Sequence, residues 1–190
     1  MLSRRHFAVA GLLAVAFATT ARAQGGIVSN TPTVALSATK VASLTVTINS
    51  GATQTLATIT DNAVNNFASP VNITTAWDIN PSASAVVLVG YFNTPASALQ
   101  NGTFNIASSL VKGRLGTSGA YNAFTGGVVT GGATNIGVAG GTLQLFSQAI
   151  TGVNRNANRT DDLYLQLDLT GQSTVPGSYT GTLNLRAITQ

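Results

Sequence analysis

The sequence predicts an all-β fold, an antiparallel sandwich of about eight or nine strands with Greek-key connections. Three observations carry that expectation. Several runs alternate apolar and polar residues with period two, which places one set of side chains on each face of a strand. No stretch makes a convincing helix: glutamate is absent, and lysine occurs only at Lys40 and Lys112. Charged residues are only 7% of the chain, against about 25% in ordinary soluble domains. Thr, Ser, Asn and Gln supply the polarity instead, and β-branched Thr suits a pleated surface.

Residues 1–23 read as an export leader rather than as part of the fold. Arg4 and Arg5 form its basic end, residues 7–17 its apolar core, and Ala21-Arg22-Ala23 a small-x-small cleavage site. The apolar core is too short for a permanent membrane helix. Ser3-Arg4-Arg5-His6-Phe7 resembles the twin-arginine signal, with the general secretory signal as the alternative. Gln24 then begins a mature chain of 167 residues (190 minus 23), destined for the periplasm, the cell surface or the medium of a bacterium. By length, residues 24–190 make one domain, able to bury about 70% of the surface its unfolded chain exposes.

Arg4, Arg5 and Arg22 lie in the leader, so the formal charge of +4 misleads. Six cations against five aspartates leave the mature chain at +1. That balance excludes the basic patch needed for nucleic acid or anionic lipid, and it leaves little self-repulsion against self-association. Cysteine is absent, which excludes disulfides and thiolate metal sites.

Taken in order, residues 25–33 are small and unpatterned and read as a mobile start. Residues 34–38 alternate briefly; 41–49 make a better strand with Leu44, Val46 and Ile48 on one face. Ser50-Gly51 reads as a turn and 52–60 as the returning strand of a hairpin. An Asn-rich loop at 61–70 leads to a strand at 71–79, with Val71, Ile73, Thr75 and Trp77 on one face. The almost unbroken apolar run at 85–92 reads as a central strand covered on both sides. Residues 94–100 allow one helical turn behind Pro95, and 104–111 a moderate strand. Ten glycines among residues 113–142 indicate a long loop with short pieces at 121–124 and 127–130. A strand follows at 143–150, then an Asn-Arg loop at 151–160. Finally Leu163, Leu165, Leu167 and Leu169 alternate with polar residues, and Leu183, Leu185 and Ala187 do so again beyond Val175-Pro176-Gly177. These two runs read as one hairpin with a leucine-rich face.

The closing stretch, Val175-Pro176-Gly177-Ser178-Tyr179-Thr180-Gly181-Thr182-Leu183-Asn184-Leu185, resembles the last strand of bacterial secreted surface subunits of the spore-coat-U and fimbrial-adhesin-like families. There a Pro-Gly turn, an aromatic and Thr-alternating residues close an immunoglobulin-like sandwich. The resemblance implies a secreted structural or assembly role and supplies no catalytic residues.

Candidate chemistry is sparse. The lone histidine, His6, lies in the leader, so the mature chain lacks His, Cys and Glu. The commonest general base, the thiol nucleophile and most zinc ligands are thereby removed, and no cofactor is implied. Asp161 and Asp162 are the nearest pair for acid–base work, but adjacent strand residues diverge to opposite faces. Asn154, Asn156, Asn158, Asp161 and Asp162 make an oxygen-rich set that could suit calcium; Arg155 and Arg159 among them oppose it, and a solvated loop is the reading preferred. Trp77 with Tyr91 or Tyr121 could stack a sugar, yet Trp77 shares its face with Val71 and Ile73 and reads as core. The glycines at 126–141 lack the Gly-Lys-Ser/Thr ending of a phosphate cradle and read as loop.

Two functions follow as expectations. The first is a non-enzymatic, exported structural protein that pairs strands with its own kind, residues 24–38 donating and 179–189 accepting. The second is a monomeric module that binds carbohydrate or another small ligand.

Overall fold

The computed structural model describes residues 29–80 and 82–190. The leader, Gln24 and most of the unpatterned start therefore lie outside the described residues. The chain divides into units Met1–Thr39 and Lys40–Gln190. Residues 29–39 of the first form no strand and are exposed, so the brief alternation at 34–38 makes no strand of its own.

The second unit is all-β and antiparallel. Its strands are β1 (Ser43–Ser50), β2 (Val64–Asn66), β3 (Val71–Asp78), β4 (Ala85–Tyr91), β5 (Leu99–Asn101), β6 (Phe104–Ile106), β7 (Val111–Leu115), β8 (Asn122–Ala123), β9 (Val129–Gly131), β10 (Thr134–Ile136), β11 (Thr142–Ala149), β12 (Asn156–Asp168) and β13 (Asn184–Thr189). Two single 3₁₀ turns, Pro95–Ser97 and Ser108–Leu110, are the only helical pieces among the described residues. The first is the turn expected behind Pro95. The second breaks the strand expected at 104–111 into β6 and β7.

The larger sheet runs β1-β3-β12-β7-β8, with β2 also on β12; the smaller runs β11-β4-β13. β12 is the joint. Its first half pairs with β3 from Asn156↔Asp78 to Leu163↔Val71, and its second half pairs with β7 from Leu163↔Leu115 to Leu167↔Val111. β2 takes the other edge at Gln166–Asp168, in register Gln166↔Asn66 to Asp168↔Val64.

Period-two alternation fills the space between the sheets. Val71, Ile73 and Trp77 of β3 and Leu163, Leu165 and Leu167 of β12 meet Val86 and Leu88 of β4 and Phe146 of β11 in one buried cluster. Each such side chain contributes about 1.5–3 kcal/mol on leaving water. Trp77 also satisfies its polar atom, donating from Nε1 to the Asn154 carbonyl at 2.7 Å. The apolar run of β4 is covered on both sides, as its composition requires: Val87 and Val89 face away from the main cluster into a second one with Ile136 and Ile188. The cover comes from the β9–β10 hairpin, inside the glycine-rich stretch read as loop. Glycine is needed there, because a Cβ on Gly131 would run into the Thr189 carbonyl and the Ile188 side chain.

Two expected hairpins do not form. β12 and β13 belong to different sheets, so the leucine runs face each other across the core instead of lying side by side. Residues 169–183 cross between the sheets; Leu169 still donates to the Ala63 carbonyl at 2.9 Å, and Thr180 makes an isolated bridge with Gln100. Residues 52–60 form no strand, and β1 pairs with β3 from Ser43↔Asp78 onward. Leu56 and Ile59 are the stretch's only sizeable apolar side chains, and neither belongs to an alternating run. The Asn-Arg loop is also shorter than expected, since β12 begins at Asn156.

Thr75 sits on the inward face of β3, 1% exposed, and its Oγ1 has no hydrogen-bond partner among the described residues. A buried orphan hydroxyl costs more than a methyl of the same shape. Thr75→Val is therefore expected to leave stability unchanged or raise it by up to about 1 kcal/mol, as read from urea unfolding followed by Trp77 fluorescence. A loss of that size would mean the hydroxyl is satisfied.

Candidate functional site: an apolar groove between the sheets

The two stretches that fail to become strands flank an opening between the sheets. Residues 51–59 and 174–185 flank a groove of about 910 Å3 that reaches the core through Phe67, Val71, Phe92, Leu165, Leu183 and Leu185. No charged residue lines it.

Local chemistry holds both flanks in place without ladders. Gly51 ends β1 with φ of 75°, a left-handed conformation open to glycine, and a Cβ there would strike the Pro70 carbonyl. Gln54 donates back to the Gly51 carbonyl at 2.9 Å. At the far end of that flank, Asn65 takes the part of a strand: its Oδ1 accepts from the Thr60 amide at 2.8 Å and its Nδ2 donates to the Thr60 carbonyl at 3.0 Å. The other flank is folded on itself, with the Tyr179 hydroxyl 3.1 Å from both the amide and the carbonyl of Val175. Thr180 then exchanges both backbone hydrogen bonds with Gln100, at 2.8 and 2.9 Å. Asp61 closes one end by accepting from the Thr174 amide at 2.9 Å and from its hydroxyl at 2.6 Å. Those bonds favour the ionised carboxyl and lower its pKa.

The sequence-derived candidates are dispersed. Asp161 and Asp162 lie opposite Ile73 and Asn72 on successive positions of β12, and so on opposite faces. Asp161 holds Arg159, whereas Asp162 accepts from Asn72 Nδ2 at 2.6 Å. Asn154 is committed to its own turn, accepting from the Thr151 amide at 2.6 Å and donating to the Ala149 carbonyl at 2.9 Å. Asn156 donates to Asp78 across the strand pair. The five oxygen-bearing residues thus spread over a turn and two sheet faces. Among the described residues no three acidic or histidine side chains converge.

Trp77 is 4% exposed and unavailable as a platform. Tyr121 stands apart from it, beneath the Arg114 guanidinium at 4.4 Å from the ring centroid, with Tyr164 at 5.7 Å. Tyr91 lies half-buried at the end of β4. The glycines at 126–141 carry β9, β10 and tight turns, with no helix behind them. Among the described residues no helix is long and apolar enough to cross a membrane.

The groove itself was missed at the sequence level, because its lining is drawn from many separate parts of the chain. The signal available was negative: two uncharged stretches, 52–60 and 170–183, with weak alternation. No family model, no curated protein and no solved structure matches the chain.

At the outer corner of the larger sheet, Lys112 Nζ lies 2.6 Å from Asp168 Oδ2, and the Thr170 hydroxyl and amide also donate to Asp168. Led by the Lys112 bond, these donors lower the Asp168 pKa from 3.8 to about 2. A carboxyl depressed in the folded state contributes stability that is present above the unfolded pKa and lost as pH falls through the folded one. The urea midpoint should therefore drop between about pH 4 and pH 2, and Asp168→Asn should flatten part of that drop. An identical pH profile in the variant would remove Asp168 from the account.

Proposed function

We propose that this protein is an exported, non-enzymatic structural subunit that joins copies of itself by strand pairing at the groove. The observation that carries the reading is a match between two unpartnered features. The groove is uncharged, opens onto core side chains and is flanked by two stretches that form no strand. The donor stretch, in its described part, alternates Thr33, Val34, Ala35, Leu36 and Ser37 and is also uncharged. Val34 is 81% exposed and Leu36 92%. An extended segment that adds to a sheet gains backbone hydrogen bonds from its main chain and specificity from alternate side chains entering pockets. Val34 and Leu36, two residues apart, point to one face of such a segment.

On this reading the two sheets are the layers of an immunoglobulin-like sandwich with Greek-key connections, and the groove is the seam where one strand is lacking. The expected acceptor, residues 179–189, supplies both the groove wall and the edge strand β13. The likeness of residues 175–185 to secreted surface subunits and the export leader expected at residues 1–23 support an assembly outside the cytoplasm. The carbohydrate-binding alternative would have to rest on Tyr121 and Tyr164, since Trp77 is buried.

The mature chain is expected to form species larger than a monomer in multi-angle light scattering. Val34→Asp with Leu36→Asp should abolish them while leaving the circular dichroism unchanged, because both residues are exposed in the single chain. A mature chain that stays monomeric at millimolar concentration contradicts the proposal, as does one whose assembly survives the double substitution.

A further inference from the structure

β12 has a free edge that is unlike the groove. β7 reaches back along it only as far as Asp162, whose carbonyl accepts from the Gly116 amide at 2.8 Å. On the opposite side the Arg155 carbonyl accepts from Ile79 at 2.9 Å, which begins the ladder to β3. Hydrogen bonding alternates from one edge of a strand to the other. Asn156, Asn158 and Thr160 therefore turn their amides and carbonyls toward the side where, among the described residues, no strand lies. A row of unpaired backbone groups is a template for another chain.

What sits behind that row is charged. Arg159 and Asp161, on the inward face of β12, form a two-bond pair, Nε to Oδ2 at 2.6 Å and Nη2 to Oδ1 at 2.7 Å. The guanidinium also lies over Phe146 of β11, 4.2 Å from the ring centroid, and so spans the seam between the sheets. Its pKa is raised, chiefly by the bond to Asp161. Their side chains are 34% and 14% exposed. A strand of a second copy that added here would bury this pair completely, and desolvating paired charges costs several kcal/mol per ion. Inward-pointing charge is a recognised guard on edge strands.

We infer that the Arg159–Asp161 pair keeps the edge at Asn156, Asn158 and Thr160 from pairing with a second copy, so that the chain adds partners on its groove side alone. The inference rests on the assembly reading for its biological purpose; the guarding itself can be tested without it. The test is made in the Val34→Asp, Leu36→Asp background, where groove assembly is blocked. Arg159→Leu with Asp161→Leu removes both charges together and so leaves no orphan ion. This variant is expected to associate, with thioflavin binding raised at least fivefold and slowed amide exchange at Asn158 and Thr160. Arg159→Lys, which keeps an inward charge, should remain as unassociated as the background. A folded double-leucine variant that stays monomeric overturns the inference. If that variant fails to fold, amide exchange of the unsubstituted edge decides: fast exchange at Asn158 and Thr160 is required, and protection there in the monomer overturns the inference. Should the wild-type chain prove monomeric while the double-leucine variant associates, the guard stands and the assembly reading alone is lost.

Discussion

Burial of the leucine stripe of β12 is the constraint on which the rest of the structure depends. Leu163, Leu165, Leu167 and Leu169 are 0, 7, 0 and 0% exposed. They can be buried only if a second sheet covers them, and β4 supplies its centre through Val86 and Leu88. Because β12 is 13 residues long, it outruns any single neighbour, and three strands divide its two edges. The larger sheet is therefore assembled around one strand, and the smaller sheet covers its leucines.

The same geometry explains where the sandwich is closed and where it is open. Edges are a hazard that sheet proteins manage by bulges, charge or cover. β1 and β11 carry register shifts, at Ile48/Ser50 and Gln144/Phe146. β13 meets the β9–β10 hairpin, with Gln190 Nε2 donating to the Thr130 carbonyl at 3.2 Å. The first half of β12 has the Arg159–Asp161 pair behind it. The groove, by contrast, has no charged residue in its lining, and core side chains such as Leu165 and Leu167 reach its floor.

How much of this could be read from the sequence follows from what alternation encodes. Period two reports which face a residue occupies, and it placed Val71, Ile73, Trp77 and the leucines of β12 inward, while the unbroken apolar run marked β4 as covered on both sides. It does not report which strand lies alongside. That is why the last two leucine runs, adjacent in sequence, were expected to pair and are found on opposite sheets. Pairing is decided by the connection, and here a folded turn at residues 175–179 and the Thr180 bridge carry the chain across. The glycine-rich stretch was read as loop because glycine weakens regular structure in isolation. Against Ile188 and Thr189, however, absence of a side chain is what allows β9 to approach. The groove was illegible for a simpler reason, since its lining comes from residues far apart in sequence; Arg159 and Asp161 are only two apart, but reading 151–160 as a loop hid the strand face they share.

The chain's lack of cysteine permits a direct measurement of whether one copy fills the groove of the next. Leu36→Cys and Leu183→Cys placed together in the mature chain would offer one thiol on the donor stretch and one on the groove wall. Under mild oxidation the account predicts a ladder of covalent multimers on a non-reducing gel, collapsing to monomer with reductant and absent from either single-cysteine variant beyond the dimer. Oxidised monomer alone, or free thiols at concentrations where the copies associate, would contradict it.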